Sequence, residues 1–113
     1  MFKKTERLNK IEFSEYFRVG KRHHFPHLTI ITAQHEKRKV SVVVGKKVAK
    51  SAVRRNTLRR RVYAVLRKNL VAAEYKGVLI VVLKPTFSSL SKKTAAEYLT
   101  MSIAQVLKSS RIT

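Results

Sequence analysis

The chain has 113 residues, with 26 Lys or Arg against 6 acidic residues, a formal charge of +20, 44% hydrophobic residues, and neither Cys nor Trp. A chain of this length forms one domain with a modest core; it is too apolar for a solvated basic tail, and its charge is far above what solubility requires. The composition removes disulfides, thiolate zinc sites and thiol nucleophiles, and neither a membrane-length apolar run nor a signal-peptide stretch is present. The expectation is one cytoplasmic domain over residues 1–113, without membrane association, that seeks a polyanion.

Leu8, Ile11, Phe13, Tyr16 and Phe17 give an apolar arc to a helix over Asn9 to Val19, with Gly20 as its stop. Phe25 to Thr32 and Lys39 to Val44 are rich in Ile, Val, Thr and Phe, and the polar stretch 34–38 between them predicts an antiparallel hairpin. Ser51 to Asn69 is predicted helical, capped by Ser51, with Leu58, Val62, Val65, Leu66 and Leu70 as its inward stripe. The run Val78 to Leu83, opened by Gly77 and closed by Pro85, is a central strand buried on both faces. A last helix starts at Ser88 or Ser89, carries Leu90, Ala95, Tyr98, Leu99, Ile103 and Leu107, and frays beyond Leu107; residues 1–8 and 108–113 are expected to be flexible. The order gives an α/β sandwich, an α+β fold with one mixed sheet in which Ser51 to Asn69 spans a βαβ crossover.

Charge is concentrated. From Lys37 to Ala73 there are 13 basic residues and no acidic one, and the 23 residues from Gly45 to Arg67 hold nine Lys or Arg. On a helix Lys50, Arg54 and Arg61 fall near one line, Arg60 and Arg67 on another, and Arg55 and Arg59 are one turn apart. Such crowding costs stability unless an anion neutralises it, and the planar Arg fork suits phosphate. Asn56 adds a contact to a base or a 2′-hydroxyl, and the helix start beside Lys46, Lys47 and Lys50 offers free N–H groups to phosphate. A solvated charged face is the plain alternative; the packed opposite face and the composition bias argue for nucleic acid.

The run Lys46-Lys47-Val48-Ala49-Lys50-Ser51-Ala52-Val53-Arg54-Arg55-Asn56-Thr57-Leu58-Arg59-Arg60 resembles the signature of bacterial ribonuclease P protein subunits, an Arg-Asn-Arg element after a Lys-Lys-Val and small-residue run. Arg7-Leu8, Phe13, Phe17 and Gly20, and later Gly77 through Lys84-Pro85, are similar to the rest of that family's pattern, so the likeness covers nearly the whole chain. The chain departs from it at Thr57, where the element loses its second guanidinium, at Arg54, where an aliphatic residue is usual, and at Ala49, often Gly.

The resemblance implies a ribosomal-protein-S5-domain-2-like sandwich of about four strands and three helices, with a left-handed βαβ crossover. It implies a monomeric subunit, one per RNA, that binds the catalytic RNA of ribonuclease P and the 5′ leader of precursor tRNA, while the RNA and its Mg²⁺ ions hydrolyse the phosphodiester. The residues of the basic segment read above, Lys46, Lys47, Lys50, Arg54, Arg55, Asn56, Arg59, Arg60 and Arg61, are then the expected contacts to the catalytic RNA; carried onto this sequence, Phe13 and Phe17 match aromatic positions of the family's leader-binding cleft, and Tyr16, Lys21 and Arg22 are expected to border the same path. From pattern alone Phe13 and Phe17 read first as a core pair; as an exposed pair they stack bases without sequence preference, and the resemblance moves Phe17 toward that cleft role more than Phe13.

No catalytic or metal-ligating residue is expected in the protein. Its carboxylates, Glu6, Glu12, Glu15, Glu36, Glu74 and Glu97, form no pair at useful spacing in the basic region, which argues against a metal-dependent protein nuclease. His23, His24, His27 and His35 lack accompanying carboxylates or thiolates, and neither a triad context nor a Gly-rich phosphate loop occurs. A ribosomal or general RNA-binding protein is the alternative function.

Overall fold

The computed structural model describes residues 6–112, with side chains to Lys108. Its elements are α1 (Lys10–Val19), β1 (Lys21–His24), β2 (Leu28–Ala33), β3 (Arg38–Val43), α2 (Ala52–Ala72), β4 (Gly77–Leu83), a 3-10 turn (Pro85–Ser89) and α3 (Lys92–Ile112). The strands form one mixed sheet in the order β1-β2-β4-β3, with β1–β2 and β2–β4 antiparallel and β3–β4 parallel. This is the expected α+β sandwich of four strands and three helices.

Two expectations about the sheet are corrected. The strands β2 and β3 are not a hairpin, because β4 lies between them, pairing Ile30 with its Val81 on one side and Val42 with the same Val81 on the other. The apolar run Val78 to Leu83 needs partners along both edges and cover on both faces, and only an interior position provides them. The polar stretch 34–38 therefore crosses the end of β4, where the Lys37 carbonyl accepts from the Gly77 N–H at 3.0 Å. The hairpin of the fold is instead β1–β2, turned through Phe25-Pro26-His27, and β1 carries only Lys, Arg and His. A strand with no apolar alternation leaves no hydrophobic signature.

Leu28 and Ile30 of β2, Val40 and Val42 of β3, and Leu79, Val81 and Leu83 of β4 face the main core, which α2 and α3 close with Leu58, Val62, Leu66, Leu70, Leu99, Ile103 and Val106. On the opposite face Ile31, Val78 and Ile80 make a small second core under Leu8, Phe13, Tyr16 and Phe17. The helix α1 is held by a capping box: the Asn9 side chain accepts from the Glu12 N–H at 2.8 Å, and the Glu12 carboxylate accepts from the Asn9 N–H at 3.1 Å.

The last helix begins later than expected. The 3-10 turn takes up Ser88 and Ser89, and Ser91 Oγ accepts from the Thr94 N–H at 3.2 Å at the start of α3. Of the segments expected to be flexible, residues 1–5 and 113 lie outside those described. Residues 6–8 run beside β3, with the Leu8 N–H donating to Val40 O at 3.2 Å and Arg38 paired to Glu6 at 2.6 Å, and residues 108–112 are the last residues of α3.

Candidate nucleic-acid interface

Ser51 caps α2, its Oγ accepting from the Arg54 N–H at 3.3 Å, and the first turn of this helix contains no acidic residue. Its positive end is therefore offset by nothing in the helix, and Arg54 and Arg55 add charge to it. Lys46 and Lys47 stand in the turn before it and Lys50 just outside its start, so Lys50 is not on the helix with Arg54 and Arg61 as expected. Arg55 is half-buried and turns back: its Nη1 donates to Lys50 O at 2.7 Å and Ala49 O at 3.1 Å, fastening the lysine loop to the helix. Thr57, at the position where the signature would place a second Arg, bonds inward to Val53 O at 3.0 Å.

The stripe Leu58, Val62, Leu66 and Leu70 is buried, with Val65 half-buried, so the cationic side chains emerge on the flanks and outer face. On one flank Asn56, Arg59, Arg60 and Tyr63 join Arg7 around a hollow of about 380 Å³, and Arg59 Nη1 donates to Asn56 Oδ1 at 2.6 Å. Arg7 is not among the RNA-binding residues that the sequence predicts; the pairing of residues 7 and 8 with Val40 carries it across the edge of the sheet to α2, and no local signal encodes that. On the other flank Arg54 and Arg61 face Lys92 of α3. Among the described residues no carboxylate lies within ion-pair distance of Arg54, Arg55, Arg59, Arg60 or Arg61.

A second surface lies under α1. The Phe13 and Phe17 rings are 5.4 Å apart, half-buried, and lean on Ile31, Val78 and Ile80, so this pair is both part of the small core and an aromatic surface. The Arg22 guanidinium sits 5.0 Å from the Phe17 ring centroid and donates to Phe17 O at 2.6 Å. Tyr16 meets His35 edge to face at 6.3 Å. Beyond α1 the same face of the sheet continues as half-buried Thr29, Ser41, Val43 and Val82, an open floor of mixed polarity. Lys21 departs from the expected grouping. It pairs with Thr32, one residue out of phase with Arg22 and Ile31, and lines a hollow on the opposite face with His23, Gln34 and Lys76.

The histidines do different work. His23 is bonded to Thr32 Oγ1 at 3.2 Å, and burial, then the charge of Lys21, lowers its pKa. His27 is pinned by Thr86 at 2.8 Å and by the Tyr98 ring, which ties the β1–β2 turn to the 3-10 turn and to α3. Among the described residues no three His or Glu side chains come together as a metal-ligating group.

A family model described as Ribonuclease P matches residues 2–107. The chain belongs to the ribonuclease P family. A relative named Ribonuclease P protein component, from Microcystis aeruginosa (strain NIES-843 / IAM M-2473), is 35% identical over 78 residues; the match takes in 62% of this chain and 65% of that protein's length. Solved structures of this fold include two that align along most of their length. The RNase P protein from Thermotoga maritima aligns with a TM-score of 0.68 at 22% identity, over 85% of this chain and 96% of that one. The Staphylococcus aureus RNase P protein aligns at 0.65 and 18% identity, over 93% and 94%. In this ribonuclease P family member the segment Lys46 to Arg60 covers the lysine turn and the first turns of α2, where the arginines have no carboxylate partner among the described residues. No described helix is long and apolar enough to cross a membrane.

Proposed function

We propose that this chain is the protein subunit of ribonuclease P, binding the catalytic RNA and the 5′ leader of precursor tRNA so that the RNA removes the leader endonucleolytically. The observation that carries the reading is the basic face of α2, which stands on a packed apolar stripe, lacks carboxylate partners among the described residues, and lies within a family match that spans almost the whole chain. Phosphates of a folded RNA relieve the repulsion among Arg54, Arg59, Arg60 and Arg61, and their release of counterions drives association.

In this reading the cleft under α1 takes the single-stranded leader, Phe13 and Phe17 supplying ring surface and Arg22 a cation beside it. In the same reading Mg²⁺ is held mainly by RNA phosphates, and the side chains bind and orient the RNA; among the described residues no three His or Glu side chains gather as a ligand set. The subunit acts as a monomer, one per RNA, in the cytoplasm. Reconstitution with ribonuclease P RNA tests this: the chain should raise cleavage of leader-bearing tRNA at low Mg²⁺ and physiological salt, and should cut nothing alone. An unchanged rate on adding it would refute the reading, and stable residence in a ribosomal subunit would favour a structural ribosomal role instead.

A further inference from the structure

The second flank of α2 holds a groove of about 400 Å³ that the charge argument does not use. It runs between α2, the 3-10 turn and the first turns of α3. Val65 and Leu90, half-buried, line it above the buried Leu58, Val62 and Leu99, and Ala64 and Ala96 leave its mouth open where the two helices face each other. The size falls at the small end of sites that take small molecules, roughly 300 to 1,000 Å³. Its rim is Arg54, Arg60 and Arg61 from α2 and Lys92 from α3, all exposed, and no carboxylate is among its lining residues. Arg54 and Arg61 also belong to the basic face of α2, so groove and face form one continuous surface.

A hollow with apolar walls and an all-cationic rim suits a flat ring carried on an anionic backbone. The ring's faces lie against branched aliphatic side chains, while the rim guanidinium groups donate to phosphate and to acceptors on the ring edge. An amphipathic peptide helix would need an acidic border to match this rim, and it would compete with RNA for the same arginines. We infer that the groove takes one unstacked nucleobase of the RNA partner, the adjoining phosphate resting on Arg54, Arg61 and Lys92. The inference rests on the proposed role in binding ribonuclease P RNA and adds to it a point of shape-dependent contact, since only an RNA that splays a base at the right distance from the α2 phosphates fills both.

Filling the groove without touching charge tests it. The variants Ala96→Phe and Ala64→Phe place a ring in the mouth from either side, and Ala64 is exposed, so its replacement preserves the fold should Ala96→Phe disturb it. Both are expected to weaken binding of ribonuclease P RNA by on the order of tenfold while leaving the slope of log affinity against log salt unchanged, because burying a base adds no counterion release. In NMR titrations AMP should shift the methyl signals of Val65, Leu90 and Leu99, ribose 5-phosphate should not, and Ala64→Phe should abolish the AMP effect. Filled variants that fold and bind RNA like the wild type would overturn the inference and leave the proposed function standing, as would AMP shifts no different from those of ribose 5-phosphate. Wild-type protein that fails to bind the RNA would overturn both. Protection of the methyls by a captured acidic peptide, with RNA binding unaffected by the filled mouth, would overturn the inference and assign the groove to a protein partner.

Discussion

At the level of single residues, neighbouring arginines of one basic run do different work. Arg55 commits one guanidinium nitrogen to two backbone carbonyls of the lysine loop, whereas Arg54 points to the groove rim and holds no internal partner among the described residues. Hydrogen bonds from a charged donor are worth about 1.5 to 3 kcal/mol, with solvent exposure favouring the low end. Arg55→Ala should therefore lower the unfolding free energy read from urea titration by an amount of that order and weaken RNA binding as well, while Arg54→Ala should weaken RNA binding with stability changed by less than about 0.5 kcal/mol. Equal effects on stability would deny the division of labour. Tyr75 offers a pH test at the same scale. Its hydroxyl donates to Val78 O at 3.0 Å, and burial pushes its pKa up to about 12 from 10.0. The raised value means that the phenol resists ionisation when folded, so its contribution is whole below pH 10 and falls away as pH rises through about 12. Urea unfolding followed from roughly pH 9 to 11.5 should show a decline that Tyr75→Phe reduces.

Elements add what residues alone do not show. The joint between α1 and β1 depends on Gly20, where a Cβ would collide with the Ile31 side chain and stand 2.7 Å from Tyr16 O. Because the obstacle includes backbone, Gly20→Ala should cost roughly 1 to 3 kcal/mol through a displaced α1, and thermal unfolding followed by circular dichroism would reveal it. On α2, Arg59→Ala and Arg60→Ala should each reduce the salt slope of RNA binding by about 0.7 to 0.9 for every phosphate left unneutralised; an unchanged slope would mean that the hollow they share with Arg7 and Asn56 meets no phosphate. Much of this is legible in the sequence. The spacing of Leu58, Val62, Leu66 and Leu70 marks α2, and the unbroken run from Val78 marks the interior strand, because burial imposes those patterns directly. Pairing is not legible: the same alternation in β2 and β3 serves adjacent strands or strands separated by β4, and the polar β1 carries no burial pattern. Nor is the company of the site. Lys21 leaves the aromatic cleft because strand pleating turns it to the other face, and Arg7 joins α2 through a backbone bridge to Val40 that no local motif announces.

For the whole molecule the governing quantity is a net charge of +20, which opposes compaction until an anion arrives. The opposition is local as well as global, since the carboxylate-free span from Lys37 to Ala73 supplies all of α2 and the loop before it. Any salt screens such repulsion, so a rise in melting temperature with salt alone does not demonstrate a site. Specific binding differs in two ways: it saturates, and it depends on the residues that bind. A divalent oxyanion bound only by the folded state stabilises it by about 2.7 kcal/mol at roughly one hundred times its dissociation constant. At millimolar concentration, where exclusion of sulfate from the surface is negligible, sulfate should raise the melting temperature above that in chloride of equal ionic strength and then level off. The paired replacement of Arg59 and Arg60 by Ala should remove most of that excess while raising the melting temperature in low salt, because it deletes two mutually repelling charges that have no ion-pair partner among the described residues. A sulfate effect that matched chloride, or that survived the double replacement, would show that repulsion is spread over the surface and that α2 has no gathered phosphate site.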